Sequence, residues 1–170
     1  AEADEFDRSF LQLYPEIAVI TSTDADHLDI YGDTDTIRAA FAEFAGQIKP
    51  SGYLIMKKGI SLALEDVKAK VFTYSFTESA DFYPSEVEIL QGGYFKFNLN
   101  YPQFKIAGSN ETVAAGTIEG CLMGVPGWIN AENAVAAAAS ALLGGISPEK
   151  IREALAAFSG VERRMDIHVN

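Results

Sequence analysis

Ile17-Ala18-Val19-Ile20-Thr21-Ser22-Thr23-Asp24-Ala25-Asp26-His27-Leu28-Asp29-Ile30-Tyr31 is a short apolar run that empties into an acidic loop. Its first four residues, three of them β-branched, have the length and composition of a buried strand. In an open parallel sheet the carboxyl ends of strands face the ligand crevice, so the loop from Ser22 to Tyr31 falls where a ligand would bind. The loop holds His27, one of two histidines in the chain, among three aspartates. A second acidic stretch, Glu2-Ala3-Asp4-Glu5-Phe6-Asp7, lies one helix length upstream. Glu2 and His27 together suit a divalent cation carrying phosphate oxygens. A solvated acidic loop with a surface histidine is the plainer alternative.

Working outward, Ser9–Pro15 reads as a short turn or helical piece closed by Pro15. Asp33 or Thr34 caps a helix whose Ile37, Ala40, Phe41 and Phe44 fall at i, i+3, i+4 and i+7. Lys49-Pro50-Ser51-Gly52 is a turn and Tyr53–Met56 a second buried strand. A short helix around Ser61–Val67 then leads to a third strand, Lys70–Phe76. This β-α-β-α-β order implies a parallel sheet with helices on its faces. The pattern then changes: Val87–Gln91, Gly92-Gly93 and Tyr94–Leu99 read as an antiparallel hairpin. About half of the chain's aromatic residues lie between 72 and 104, the composition of one packed face of a small antiparallel sheet. A helix over Glu111–Met123 and a turn at Gly124–Gly127 follow. Asn130 opens a long Ala-rich helix that Gly144-Gly145 stops. Ser147-Pro148 starts a last helix with Ile151, Ala154, Leu155 and Phe158 on its apolar face. The fold class is α/β, a mostly parallel sheet flanked by helices with a small antiparallel subsheet.

At 170 residues the chain is long enough for one domain with a substantial core. Its formal net charge of −11 argues against nucleic acid as a partner. Residues 1–35 hold ten Asp or Glu against a single basic residue, Arg8, a field that a cation or plain solvation would offset. Cys121 is the only cysteine, so neither an intrachain disulfide nor a thiolate metal site can form, as in a reducing, cytoplasmic compartment. The Ala-rich helix is too short to span a bilayer, so no membrane insertion is expected. The abrupt acidic start is read as a cut on the N-terminal side.

Two further constellations carry chemistry. Asn130 and Asn133 share a face at a helix start, and a carboxamide offers the donor and acceptor that match the N6/N7 edge of adenine. Alternatively, Asn130 is only a helix cap and Asn133 a solvated neighbour. Arg163-Arg164, after a helix and a glycine, could fork a phosphate or merely offset a helix dipole. No G-x-x-x-x-G-K-[ST] phosphate loop, G-x-S-x-G elbow, H-E-x-x-H or C-x-x-C occurs.

In this order and spacing, Glu2–Leu11, Asp24–Tyr31, Gly127–Ala134 and Phe158–Arg164 resemble the E-A-D-E-x-D-x-S-F-L, D-A-D-H-x-D-x-Y, G-x-H-N-x-x-N-A and F-x-G-V-x-R-R motifs of one family. That family is the Mur ligases of bacterial cell-wall synthesis, in particular the branch that joins L-alanine to UDP-N-acetylmuramate. The resemblance covers essentially the whole chain. It implies a P-loop NTPase-like central domain over residues 1–160, lacking its N-terminal part, with 161–170 as the hinge to a further domain. It also implies ATP and Mg2+ as cofactors. Glu2 would hold magnesium near the ATP phosphates and His27 a second magnesium. Asn130 and Asn133 would contact adenine, and Arg164 would reach the nucleotide phosphates. The implied reaction phosphorylates the lactyl carboxylate of UDP-N-acetylmuramate. The amine of L-alanine then attacks the acyl phosphate, and phosphate leaves from a tetrahedral intermediate.

The sequence departs from the pattern at Ile129, where the family has histidine, and at Ser22, where related sequences often have asparagine. The imidazole contact is thus lost, or replaced by packing of the Trp128 indole. The family's phosphate loop and its terminal substrate domains fall outside these residues, so the fragment alone is expected to have no ligase activity. The recycling ligase of the same family, which transfers a murein tripeptide, and a non-catalytic nucleotide-binding relative are the alternatives. Ala25, Leu28 and Tyr31 favour the L-alanine branch over the former.

Overall fold

The structure, a computed structural model, describes residues 8–24 and 33–161. Glu2, His27 and Arg164 lie outside the described residues. Three parallel strands, β1 (Ile17–Ile20), β2 (Tyr53–Lys57) and β3 (Lys70–Tyr74), form a sheet in the order β1-β2-β3. Helix α1 (Thr34–Gly46) connects the first two. The Asp33 carboxylate caps it by accepting the Thr36 amide at 2.7 Å, and these hydrogen bonds hold the Asp33 carboxyl below its ordinary range.

Side chains alternate across a strand, and here the alternation sorts two cores. Ala18, Ile20, Leu54 and Met56 bury against Phe10, Ile37, Ala40 and Phe44, from a 3₁₀ turn at Ser9–Gln12 and from α1. Tyr53, Ile55, Phe72 and Tyr74 bury on the opposite face, against helix α2 (Trp128–Leu143). Alanines at 131, 134, 136, 138 and 139 let that helix approach the sheet closely. It ends at Gly144-Gly145, where Gly145 has φ +83°. The parallel sheet, the helix after β1 and the Ala-rich helix are therefore borne out.

The chain then builds an antiparallel sheet in the order β4-β5-β8, from β4 (Tyr83–Ile89), β5 (Phe95–Tyr101) and β8 (Gly116–Leu122). The hairpin turns through Gln91–Gly93, as the paired glycines require. Phe95, Phe97 and Leu99 from β5 join Phe72, Phe76 and Phe82 in one core, with Phe76 edge-on to both Phe95 and Phe97. Two short strands, β6 (Phe104–Lys105) and β7 (Thr112–Val113), pair separately. Helix α3 (Pro148–Ala157) closes the described chain, with Ser147 as its cap and Pro148 in its first turn. It docks where the Gly124 amide donates to the Leu155 carbonyl at 2.9 Å.

Four expectations are corrected. Ser61–Val67 is not a helix but an irregular crossover: Leu62 and Leu64 tuck partly inward at a spacing of two, and seven residues are too few to sustain a helix unaided. Glu111–Met123 is β7 and β8 rather than a helix. Ile118 and Cys121 are both buried at a helix-like spacing of three because a bulge intervenes. Leu99 pairs with Ile118 and Phe97 with Cys121, so two residues of β8, Glu119 and Gly120, oppose Asn98 alone on β5. Gly120 takes φ +65° there, and its amide donates to the Asn98 side chain at 2.8 Å. The third strand ends at Tyr74, two residues early. On α3 only Ile151 is buried and Leu155 half-buried, while Ala154 and Phe158 are exposed.

Candidate functional site

The carboxyl ends of β1 and β2 open into a cleft of about 400 Å³. Thr21–Asp24 line it from β1, Lys57–Ser61 from β2, and Thr34 and Arg38 from the first turns of α1. This is where a parallel sheet is expected to bind its ligand. Ser22 braces the β1 side, donating through Oγ to Asp24 Oδ2 at 2.7 Å and accepting the Asp24 amide at 2.9 Å. Asp24 is the first residue of the D-A-D-H stretch, so the acidic loop leaves from the cleft wall. Among the described ionisable residues that line the cleft, three are cations, Arg38, Lys57 and Lys58, and one, Asp24, is an anion. That balance opposes the −11 of the whole chain.

Strand alternation places Lys57 on the same face as Tyr53 and Ile55, beneath α2, and the β2–β3 register sets it beside Tyr74. Above them, Glu132 occupies an inward position on α2, in line with Val135, Ala136, Ala139 and Leu143. Its carboxylate Oε2 sits 2.7 Å from Lys57 Nζ. Glu132 is 7% exposed, whereas the Lys57 side chain is 38% exposed and reaches the cleft. The Tyr74 hydroxyl is fully buried and makes no hydrogen bond among the described residues. Burial first, and then the negative charge of Glu132, push its pKa up to about 12.

Helix α2 begins at Trp128, two residues before the expected start, and its cap is Gly127 at φ +99°. Asn130 therefore does not cap the helix. It sits in the first turn, half-buried, and its side-chain amide donates to the Pro126 carbonyl at 2.7 Å. Asn133 is exposed one turn on. No side-chain hydrogen bond caps this helix among the described residues, and its start carries the positive end of the helix dipole. Trp128 packs edge-on against Phe76 at 6.0 Å between ring centroids, and Ile129, in the family's histidine position, is 67% exposed.

The structure thus brings the helix start bearing Asn130 and Asn133 to within one ion pair of the cleft, through Glu132 and Lys57. Sequence reasoning missed Lys57, Lys58 and Arg38 as cleft residues. The signal was present in a lone acid, Glu132, on the apolar stripe of an Ala-rich helix, and in a lysine in phase with buried Tyr53 and Ile55. Among the described residues no group of three or more His, Cys, Asp or Glu could hold a metal ion. No helix among them is long and apolar enough to cross a membrane.

The profile of the Mur ligase middle domain matches residues 2–141. The chain is 44% identical over 170 residues to a protein of Parabacteroides distasonis named UDP-N-acetylmuramate–L-alanine ligase, covering 99% of this chain and 34% of that protein. A protein of the same name from Porphyromonas gingivalis is 41% identical over 167 residues, covering 97% and 34%. The chain therefore spans about a third of the length of the curated relatives it matches. Among solved structures, MurF from Acinetobacter baumannii superposes with a TM-score of 0.70 at 25% identity, over 92% of this chain and 32% of that one. The fold is also that of a UDP-N-acetylmuramate:L-alanyl-gamma-D-glutamyl-meso-diaminopimelate ligase from Neisseria meningitides, with a TM-score of 0.69 at 22% identity, over 95% and 48%. The chain belongs to the Mur ligase middle-domain family.

Proposed function

We propose that this chain is the ATP-binding middle domain of a cytoplasmic ligase that joins L-alanine to UDP-N-acetylmuramate through an acyl phosphate. The observation that carries the nucleotide reading is the junction of two features: an uncapped helix start bearing Asn130 and Asn133, and a cation-lined cleft at the strand ends. The carboxamides at the helix start suit the donor and acceptor edge of adenine, and a cluster of cations favours the charge of the phosphates. The names of the relatives point to L-alanine and UDP-N-acetylmuramate as the other two substrates.

In this reading Asn130 and Asn133 contact adenine, and Arg164 reaches the phosphates. Residues 1–160 form the ATP-binding domain and 161–170 the hinge. Glu2 and His27 are the magnesium ligands. Asp24 lines the cleft and opens the stretch that leads to His27, which supports a cation there. Magnesium, when bound, draws the anionic nucleotide and the substrate carboxylate together and offsets charge on the group in transfer. The fully buried, unpaired Cys121 accords with a reducing compartment.

The test is ADP release by the full-length protein. Release should require UDP-N-acetylmuramate and L-alanine together, and His27→Ala should abolish it while the 170-residue chain alone shows none. Release with the murein tripeptide in place of L-alanine would move the protein to the recycling branch. Release with neither would leave a nucleotide-binding relative without ligase activity.

A further inference from the structure

We infer that Lys57 is an anion-contacting residue of the cleft, and that Glu132 is the positioning residue that aims it. The inference rests on the ligase reading for its choice of probes. Lys57 runs from the parallel-sheet core to the cleft wall, with its ammonium 2.7 Å from the carboxylate of Glu132, whose side chain is 9% exposed. An ammonium has three donors. The structure gives Lys57 a single ion-pair partner among the described residues, and Lys57 lines the cleft with its side chain 38% exposed.

The neighbouring cations are placed differently. Lys58 is turned to the loop after β3, where it pairs with Glu78 at 3.6 Å and donates to the Ser79 carbonyl. Among the described residues Arg38 pairs only with Asp35, at 3.8 Å, and that side chain is 95% exposed. Lys57 is therefore the cation whose position is fixed by a buried partner. Stability alone gives a weak reason to keep such a pair, since apolar residues of similar volume commonly serve as well or better. Its position at the mouth of the cleft supplies a reason: a preorganised ammonium costs little further ordering when a phosphate or carboxylate oxygen arrives. The hydroxyls of Thr21, Ser22 and Thr23 line the same cleft and suit the same ligand class.

The experiment is calorimetric titration of the full-length protein with Mg·ATP and, separately, with UDP-N-acetylmuramate. The proteins are wild type, Lys57→Met, Lys57→Arg and the Lys57→Met/Glu132→Met double variant. The double variant leaves no buried charge unpaired, so it keeps a melting temperature near that of wild type and removes misfolding as an explanation. We expect it to bind one of the two ligands about tenfold or more weakly, the loss of one charge-assisted hydrogen bond. Lys57→Arg should keep most of the affinity. The ligand that weakens identifies the anion that Lys57 contacts. A double variant that binds both ligands as wild type does would overturn the inference and leave the pair structural. Wild type binding neither ligand would instead overturn the ligase reading, and this inference with it.

Discussion

Lys57→Met is expected to destabilise the fold by about 3 kcal/mol or more, and Glu132→Met by only about 1 kcal/mol, although each removes one half of the same ion pair. The difference follows from burial. Glu132 is 7% exposed and lies on the inward stripe of α2, so without Lys57 its charge has no route to water. Lys57 is different: its side chain is 38% exposed at the end of β2. Without Glu132 its four-carbon stem can carry the ammonium out to the cleft. The double change to methionine should restore stability close to wild type, because buried ion pairs are commonly replaced by apolar residues at no net cost. Urea unfolding midpoints of the three variants check the order. Equal losses for the two single variants, or a larger loss for Glu132→Met, would show that the burial asymmetry does not govern the pair.

A second large effect appears at alkaline pH. The Tyr74 phenol is fully buried without a hydrogen-bond partner among the described residues, and it feels the negative charge of Glu132. Burial and that charge raise its pKa from 10.0 to about 12. A raised folded-state pKa means that the neutral phenol is the form the fold accepts. The stability it contributes is whole below pH 10 and is lost as the pH rises through 12. At pH 11 the linkage amounts to about 1.4 kcal/mol relative to pH 8. Tyr74→Phe removes the titrating group together with an unpaired hydroxyl. It should be neutral or stabilising at pH 8 by up to about 1 kcal/mol. Its advantage over wild type should then widen by the linkage amount at pH 11. Urea unfolding at the two pH values measures this directly, and parallel pH profiles for the two proteins would contradict it.

How far the fold could be read from the residues differed from element to element, for physical reasons. Ile17–Ile20, Tyr53–Met56 and the Asp33-capped helix were legible because period, length and cap agreed. The Gly92-Gly93 hairpin and the Gly144-Gly145 stop were legible because those conformations need glycine. The β8 strand was not, because its bulge at Gly120 spaces Ile118 and Cys121 three apart and so mimics a helical stripe. The crossover at 61–67 lacked the length for any periodicity to decide. Asn130 illustrates a subtler limit: an asparagine near a helix start invites the cap reading, yet Gly127 turns the chain and the helix starts at Trp128. The Lys57–Glu132 pair joins residues 75 positions apart, so only the strand register and the facing helix could reveal it.

The helix start and the strand-end cleft are claimed here as two parts of one nucleotide site, and hydrogen exchange tests that claim most directly. Amide exchange of the full-length protein would be followed with and without Mg·ATP. The expected result is slowed exchange in peptides covering 127–134 and in those covering 21–24 and 57–61. Protection confined to the exposed face of the β4-β5-β8 sheet, with both of these regions unchanged, would contradict it.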